Sequence, residues 1–257
     1  MSRVKEALIG KKSFIGFLTA GDPCIDKTED FIVKIAEAGA AVVEVGIPFS
    51  DPIAEGPVVQ EANVRALSAP GGCTTDMVFD MVERASKKID VPIVLLTYLN
   101  PVFKYGYERF MSRCNEAGVD GIIIPDLSYE EKGEIVEYAS KYGVDIISLI
   151  STNSGDRIKM IAPEAMGYIY ILPSVDRNQS EGELSSELVE TVARIRKLTD
   201  TPVVIEFGAN TPEQIARYSD IADGIIIETR IVKLIEKYGE NADNHIYDYV
   251  KKMVDSI

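Results

Sequence analysis

Eight short apolar runs, each rich in Val or Ile and followed by a loop or helix-patterned stretch, constrain this chain more than any other feature. They are SFIGFL (13–18), AVVEV (41–45), VPIVLLTY (91–98), GIIIP (121–125), DIISLI (145–150), YIYIL (168–172), PVVIEF (202–207) and GIII (224–227). The runs are too short for independent helices. Near-continuous β-branched runs are what a parallel strand covered on both faces requires. Between and after them the spacing predicts helices over 26–38, 74–88, 107–117, 130–141, 154–161, 185–198, 211–219, 231–237 and 247–254. The alternation continues without a linker or low-complexity segment. It predicts an α/β fold, a single (β/α)8 TIM barrel spanning 1–257. The 257 residues match the roughly 250 typical of such a barrel. Residues 3–9 read as a short amphipathic N-terminal helix able to plug its bottom.

The composition narrows the function. A formal charge of −14, spread along the chain, argues against a nucleic-acid surface. Cys24, Cys73 and Cys114 show neither metal nor disulfide spacing, which fits a reducing cytoplasm. The single histidine, His245, reads as a surface helix residue, so a histidine-ligated metal centre or a Ser-His-Asp triad is not expected. No run reaches the roughly 18 apolar residues of a membrane helix. The first residues are too polar for a signal peptide.

The chemistry concentrates in AVVEVGIPFSDPIAEGPVVQ (41–60). Glu44 lies inside an apolar strand. Desolvation would raise its pKa, which suits a general acid; alternatively it faces solvent from a half-exposed strand. A loop punctuated by Gly46, Pro48, Pro52, Gly56 and Pro57 follows, carrying Ser50, Asp51 and a second carboxylate, Glu55. Barrel enzymes place their chemistry in such loops, at the strands' C-terminal ends. Two carboxylates in different settings can hold different protonation states and roles. Phe17, Tyr98 and Asn100 fall near the C-terminal ends of their strands. Asp126 follows the fourth strand, where it either holds a pocket group or caps the next turn.

The stretch GIPFSDPIAEGPVVQEANVRAL (46–67) closely resembles the signature of the tryptophan synthase alpha family, differing where Glu55 replaces an Asp. TYLNP (97–101), IPDL (124–127), TPEQIARYSDIADGIII (211–227) and IVKLIEKYGE (231–240) extend the resemblance over nearly the whole chain. It implies a lyase that cleaves indole-3-glycerol phosphate to indole and glyceraldehyde 3-phosphate, without cofactor or metal. Glu44 would move the protons and Glu55 would hold the indole N–H. Phe17, Tyr98 and Tyr170 would line the substrate pocket. Asn178 stands where the family has a Thr bonded to the loop carboxylate. The implied partner is a pyridoxal-phosphate beta subunit that receives indole, facing loops 48–55 and 174–186.

The resemblance weakens where the family holds phosphate with backbone N–H groups. Gly-Val-Thr-Gly is replaced by Asp176-Arg177-Asn178-Gln179, Gly-Phe-Gly by Glu206-Phe207-Gly208, and Gly-Ser-Ala by Glu228-Thr229-Arg230. Gly208 survives, Thr229 can replace the Ser hydroxyl, and Arg230 or Arg177 can offset the new carboxylates. Three readings stay open: a site rebuilt for another ligand, glutamates turned outward with phosphate still bound, or a site without a ligand.

Overall fold

The computed structural model describes residues 1–172, 185–206 and 211–257. Strands β1 (Ser13–Thr19), β2 (Val42–Gly46), β3 (Ile93–Leu96), β4 (Gly121–Ile123), β5 (Asp145–Ser151), β6 (Met166–Leu172), β7 (Val203–Glu206) and β8 (Gly224–Ile227) pair in chain order and close into a barrel. All the pairings are parallel, and β8 closes on β1 with Phe14 opposite Ile225 and Gly16 opposite Ile227. The helices are α1 (Arg3–Leu8), α2 (Ile25–Glu37), α3 (Pro57–Ser68), α4 (Thr75–Ser86), α5 (Leu99–Tyr105), α6 (Tyr107–Ala117), α7 (Gly133–Tyr142), α8 (Ile158–Ile161), α9 (Ser186–Arg196), α10 (Pro212–Ser219), α11 (Thr229–Tyr238) and α12 (Asp243–Val254).

The strands separate two apolar layers. Phe14, Val43, Val45, Leu95 and Ile225 face outward and pack under the helices. Ile15, Phe17, Val42, Val94, Ile123, Tyr168, Tyr170 and Ile226 form the barrel interior. Helix α1 seals the bottom: Val4 and Leu8 are fully buried in the inner layer, worth about 1.5–3 kcal/mol each. Arg3 pins that plug with a fork to Asp120 at 3.0 and 3.1 Å and a bond to the Asp90 carbonyl at 2.9 Å. Gly46 is needed for space. A Cβ there would lie 2.9 Å from Phe17 Cζ, so glycine lets the Phe17 ring occupy the barrel interior.

Two helices depart from the sequence reading. Pro57, read as loop punctuation, sits in the first turn of α3, where its missing N–H costs nothing. The TYLNP segment, read as a strand tail, opens α5. Asp126 Oδ1 accepts from the Leu99 amide at 2.8 Å, satisfying one of the free N–H groups of that helix start. Asp126 thus has a structural contact, but to the start of an earlier helix and not to the turn that follows it. His245 lies exposed on α12, stacked on Tyr238 with ring centroids 3.6 Å apart.

Candidate active site

Position on β2 dictates the setting of Glu44. Every residue of that strand is buried, and Glu44 pairs with Phe17 on one side and Val94 on the other. Inward-facing Val42 precedes it by two residues, so the strand's two-residue period turns Glu44 into the barrel. The side chain is 0% exposed. Oε1 accepts a short hydrogen bond from the Tyr168 hydroxyl, and Oε2 has no hydrogen-bond partner. Burial pushes the carboxyl up to about 8; the Tyr168 bond opposes this and the nearby Glu206 charge adds to it. A neutral carboxylic acid at physiological pH, with one free oxygen inside a barrel, is a proton donor in waiting.

Glu55 is held by its loop. Asn63, buried on α3, accepts from the Phe49 amide at 2.8 Å and donates to the Val59 carbonyl at 2.8 Å. Gln60 donates to the Glu55 carbonyl at 2.9 Å. Tyr98 does two jobs: its oxygen accepts from the Ala54 amide at 2.9 Å, and its hydroxyl donates to Glu55 Oε2. Phe49 stacks on the Tyr98 ring at 5.2 Å. Burial raises the Glu55 carboxyl, against the Tyr98 hydrogen bond.

Glu55 lines a cleft whose apolar walls include Leu96, Ile123, Leu149 and Leu172 and whose other polar groups are Tyr170, Glu206 and Glu228. The Tyr170 hydroxyl donates to Glu228 Oε1 at 3.1 Å. Burial raises Glu206, and burial followed by the charges of Glu206 and Glu44 raises Glu228 well above the usual carboxylate value. A larger cavity, about 240 Å³ between the segment 124–132 after β4, strand β5 and helix α8, has none of these carboxyls in its walls.

The structure therefore brings Glu44, Glu55, Phe17, Tyr98 and Tyr170 to one end of the barrel. Thr229 and Arg230 are exposed at the start of α11, with the Arg230 guanidinium 6.0 Å from the Tyr249 ring centroid; neither lines the cleft. Asn178 and Gly208, like Arg177, lie outside the described residues. Sequence reasoning missed Tyr168, the phenol that orients Glu44. Its signal was present in YIYIL, where a period of two places Tyr168 and Tyr170 on the same face. Among the described residues, no group of three or more His, Cys, Asp or Glu side chains is placed to hold a metal ion.

A closed (β/α)8 barrel with a buried carboxyl raised by desolvation and a second, loop-borne carboxyl beside an apolar cleft has the layout of a barrel enzyme. The comparisons with known proteins specify it. The family model for the tryptophan synthase alpha chain matches residues 4–256. The tryptophan synthase alpha chain of Lacticaseibacillus casei is 46% identical over 253 residues, covering 98% of this chain and 94% of that one. The crystal structure of the alpha subunit from Legionella pneumophila str. Paris superposes with a TM-score of 0.90 at 32% identity, covering 100% of this chain and 98% of that one. A chain from a structure on the tryptophan synthase α2β2 complex of Pyrococcus furiosus gives a TM-score of 0.88 at 30% identity, covering 95% of this chain and 98% of that one. The chain belongs to the tryptophan synthase alpha chain family. It is a carbon–carbon lyase of that type, cleaving indole-3-glycerol phosphate in tryptophan biosynthesis.

Proposed function

We propose that Glu44 and Glu55 carry this retro-aldol cleavage. The apolar walls take the indole ring, and Glu55, beside them, accepts the indole N–H. Glu44 gives its proton to indole C3, and the positive charge that develops on the ring nitrogen is stabilised by the Glu55 carboxylate. The Glu44 carboxylate then takes the proton of the glycerol hydroxyl next to C3. The C3–C bond breaks, its electron pair returns to the ring, and the hydroxyl carbon becomes the aldehyde of glyceraldehyde 3-phosphate. Glu44 ends protonated, as it began. Phe17, fixed against Gly46 beside Glu44, and Tyr98, fixed on Glu55, serve as pocket walls.

The observation that carries the assignment is the buried Glu44 with one unpartnered oxygen. A catalytically silent binding subunit gains nothing from a raised carboxyl in its barrel. The test is indole release from indole-3-glycerol phosphate by the purified chain and by Glu44→Gln. Turnover in the parent and its loss in the variant are expected; equal turnover in both removes Glu44 from the mechanism.

The pyridoxal-phosphate beta subunit is the proposed partner. Ile53, 79% exposed on the loop after β2, and Phe103, 65% exposed on α5 directly after β3, offer apolar contacts on the face that carries the site. Ile53→Asp with Phe103→Asp should abolish co-elution with a beta subunit; unchanged co-elution would place the contact elsewhere. The proposed compartment is the cytoplasm, in keeping with three free thiols. Among the described residues, no helix is long and apolar enough to cross a membrane.

A further inference from the structure

We infer that the tail end of this site, formed by Tyr170, Glu206 and Glu228, is built for an uncharged polyol. A terminal phosphate then gains no advantage there, and the chain also takes indole-3-glycerol substrates that lack it. The inference rests on the proposed reading of Glu44 and Glu55 as the indole end.

Geometry decides the direction of both glutamates. Glu228 precedes α11 in the N-cap position, yet its side chain makes no cap hydrogen bond. It turns instead to Tyr170, which is 2% exposed and belongs to the barrel interior. Glu206 ends β7 and pairs with Ile226, two residues before Glu228. Both carboxyls share a cleft wall with Glu55. The fourth carboxyl, Glu44, points into the same interior with Oε2 unpartnered, a buried polar atom awaiting a hydrogen-bonding ligand.

No Lys or Arg is among the described residues lining the cleft. Arg230, the nearest candidate by sequence, is exposed and lies over Tyr249. A dianion entering here meets carboxyls without a described counter-charge, and unit charges in a partly buried site repel strongly enough to cost about tenfold or more in affinity. A glycerol hydroxyl meets the opposite situation, because each carboxyl oxygen accepts from it and each protonated carboxyl donates to it.

Proton occupancy sets the balance. Burial is the first cause raising Glu228, followed by the charges of Glu206 and Glu44, with Tyr170 opposing and Glu55 adding. Burial also raises Glu206, with Tyr170 opposing. Lowering the pH fills the pair with protons, removes the repulsion and supplies donors to the phosphate. Raising the pH does the reverse, so any preference for phosphate should shrink as pH rises.

The test is calorimetric titration of the Glu44→Gln chain, which holds ligand without turnover, with indole-3-glycerol and with indole-3-glycerol phosphate at pH 6 and pH 8. At pH 8 the phosphate-free ligand should bind at least as tightly. From pH 8 to pH 6 the ratio should move toward the phosphate ligand. Adding Glu206→Gln and Glu228→Gln should shift the affinity ratio at pH 8 about tenfold toward the phosphate ligand. Glu228→Gln alone keeps the test if the fuller variant does not fold. A parent that binds the phosphate ligand more than tenfold tighter at pH 8, with no gain in the variants, overturns the inference and leaves the indole-end reading standing. Binding of neither ligand overturns that reading and the inference with it.

Discussion

The site contains two pairs of carboxyls, and they are partnered differently. Glu44 and Glu55 each have a phenol of their own, Tyr168 and Tyr98. Glu206 and Glu228 crowd around one, Tyr170. A carboxyl with its own donor is fixed in place and titrates largely as itself. Two carboxyls on one donor influence each other's proton, and their titration belongs to the pair. The first arrangement suits acid–base work at defined atoms. The second suits a surface that adjusts its donors and acceptors to a flexible polyol chain.

The largest effect expected within this comparison is at Glu44. Glu44→Gln keeps the shape and cannot exchange a proton, so kcat for indole release should fall roughly 100- to 10,000-fold while the chain still folds. Next comes Tyr98→Phe, which removes the donor to Glu55 and the acceptor for the Ala54 amide. A hydrogen bond to a charged group is worth about 1.5–3 kcal/mol, so kcat/KM should drop about 10- to 100-fold. If Tyr98→Phe is silent, Glu55 does not depend on its own phenol and the contrast between the pairs fails.

Glu55 itself sharpens the comparison. Glu55→Ala should depress activity, whereas Glu55→Asp, the family residue, should preserve or raise kcat/KM for indole-3-glycerol phosphate. Equal loss in both would mean that the pocket has been rebuilt around the longer side chain reaching Tyr98.

The remaining effect is on stability, not on rate. Glu44 titrates near 4.3–4.5 when unfolded and near 8 when folded, so the folded chain binds the extra proton between those values. Its contribution is intact below about 4.5 and is lost as pH rises toward about 8. The slope is at most about 1.4 kcal/mol per pH unit. Chemical denaturation of the parent should therefore weaken across that window relative to Glu44→Gln. Parallel pH dependences would show that Glu44 is not held neutral.

Much of this was legible in the residues. The β-branched runs placed all eight strands, because a parallel strand buried on both faces has little freedom in composition. Glu44 stood out as a charge in such a run. The helices α3 and α5 did not stand out, because Pro57 read as punctuation where it sits in a first turn and TYLNP read as the tail of a strand. Tyr168 was missed because a tyrosine in an apolar strand reads as packing until its hydroxyl partner is located across the barrel. The direction of Glu206 and Glu228 was also beyond the sequence. It follows from where the strand and helix ends put their side chains, and only the Tyr170 contact resolves it for Glu228.

The central claim is that a buried, protonated Glu44 starts the reaction, and the pH dependence of kcat/KM for indole release tests it most directly. The account predicts activity that falls about tenfold per pH unit above roughly pH 8. That limb should persist in Glu228→Gln, which separates it from the tail-end pair, and be absent from the residual activity of Glu44→Gln. Activity that stays level to pH 9.5, or a limb that survives in Glu44→Gln, would contradict it.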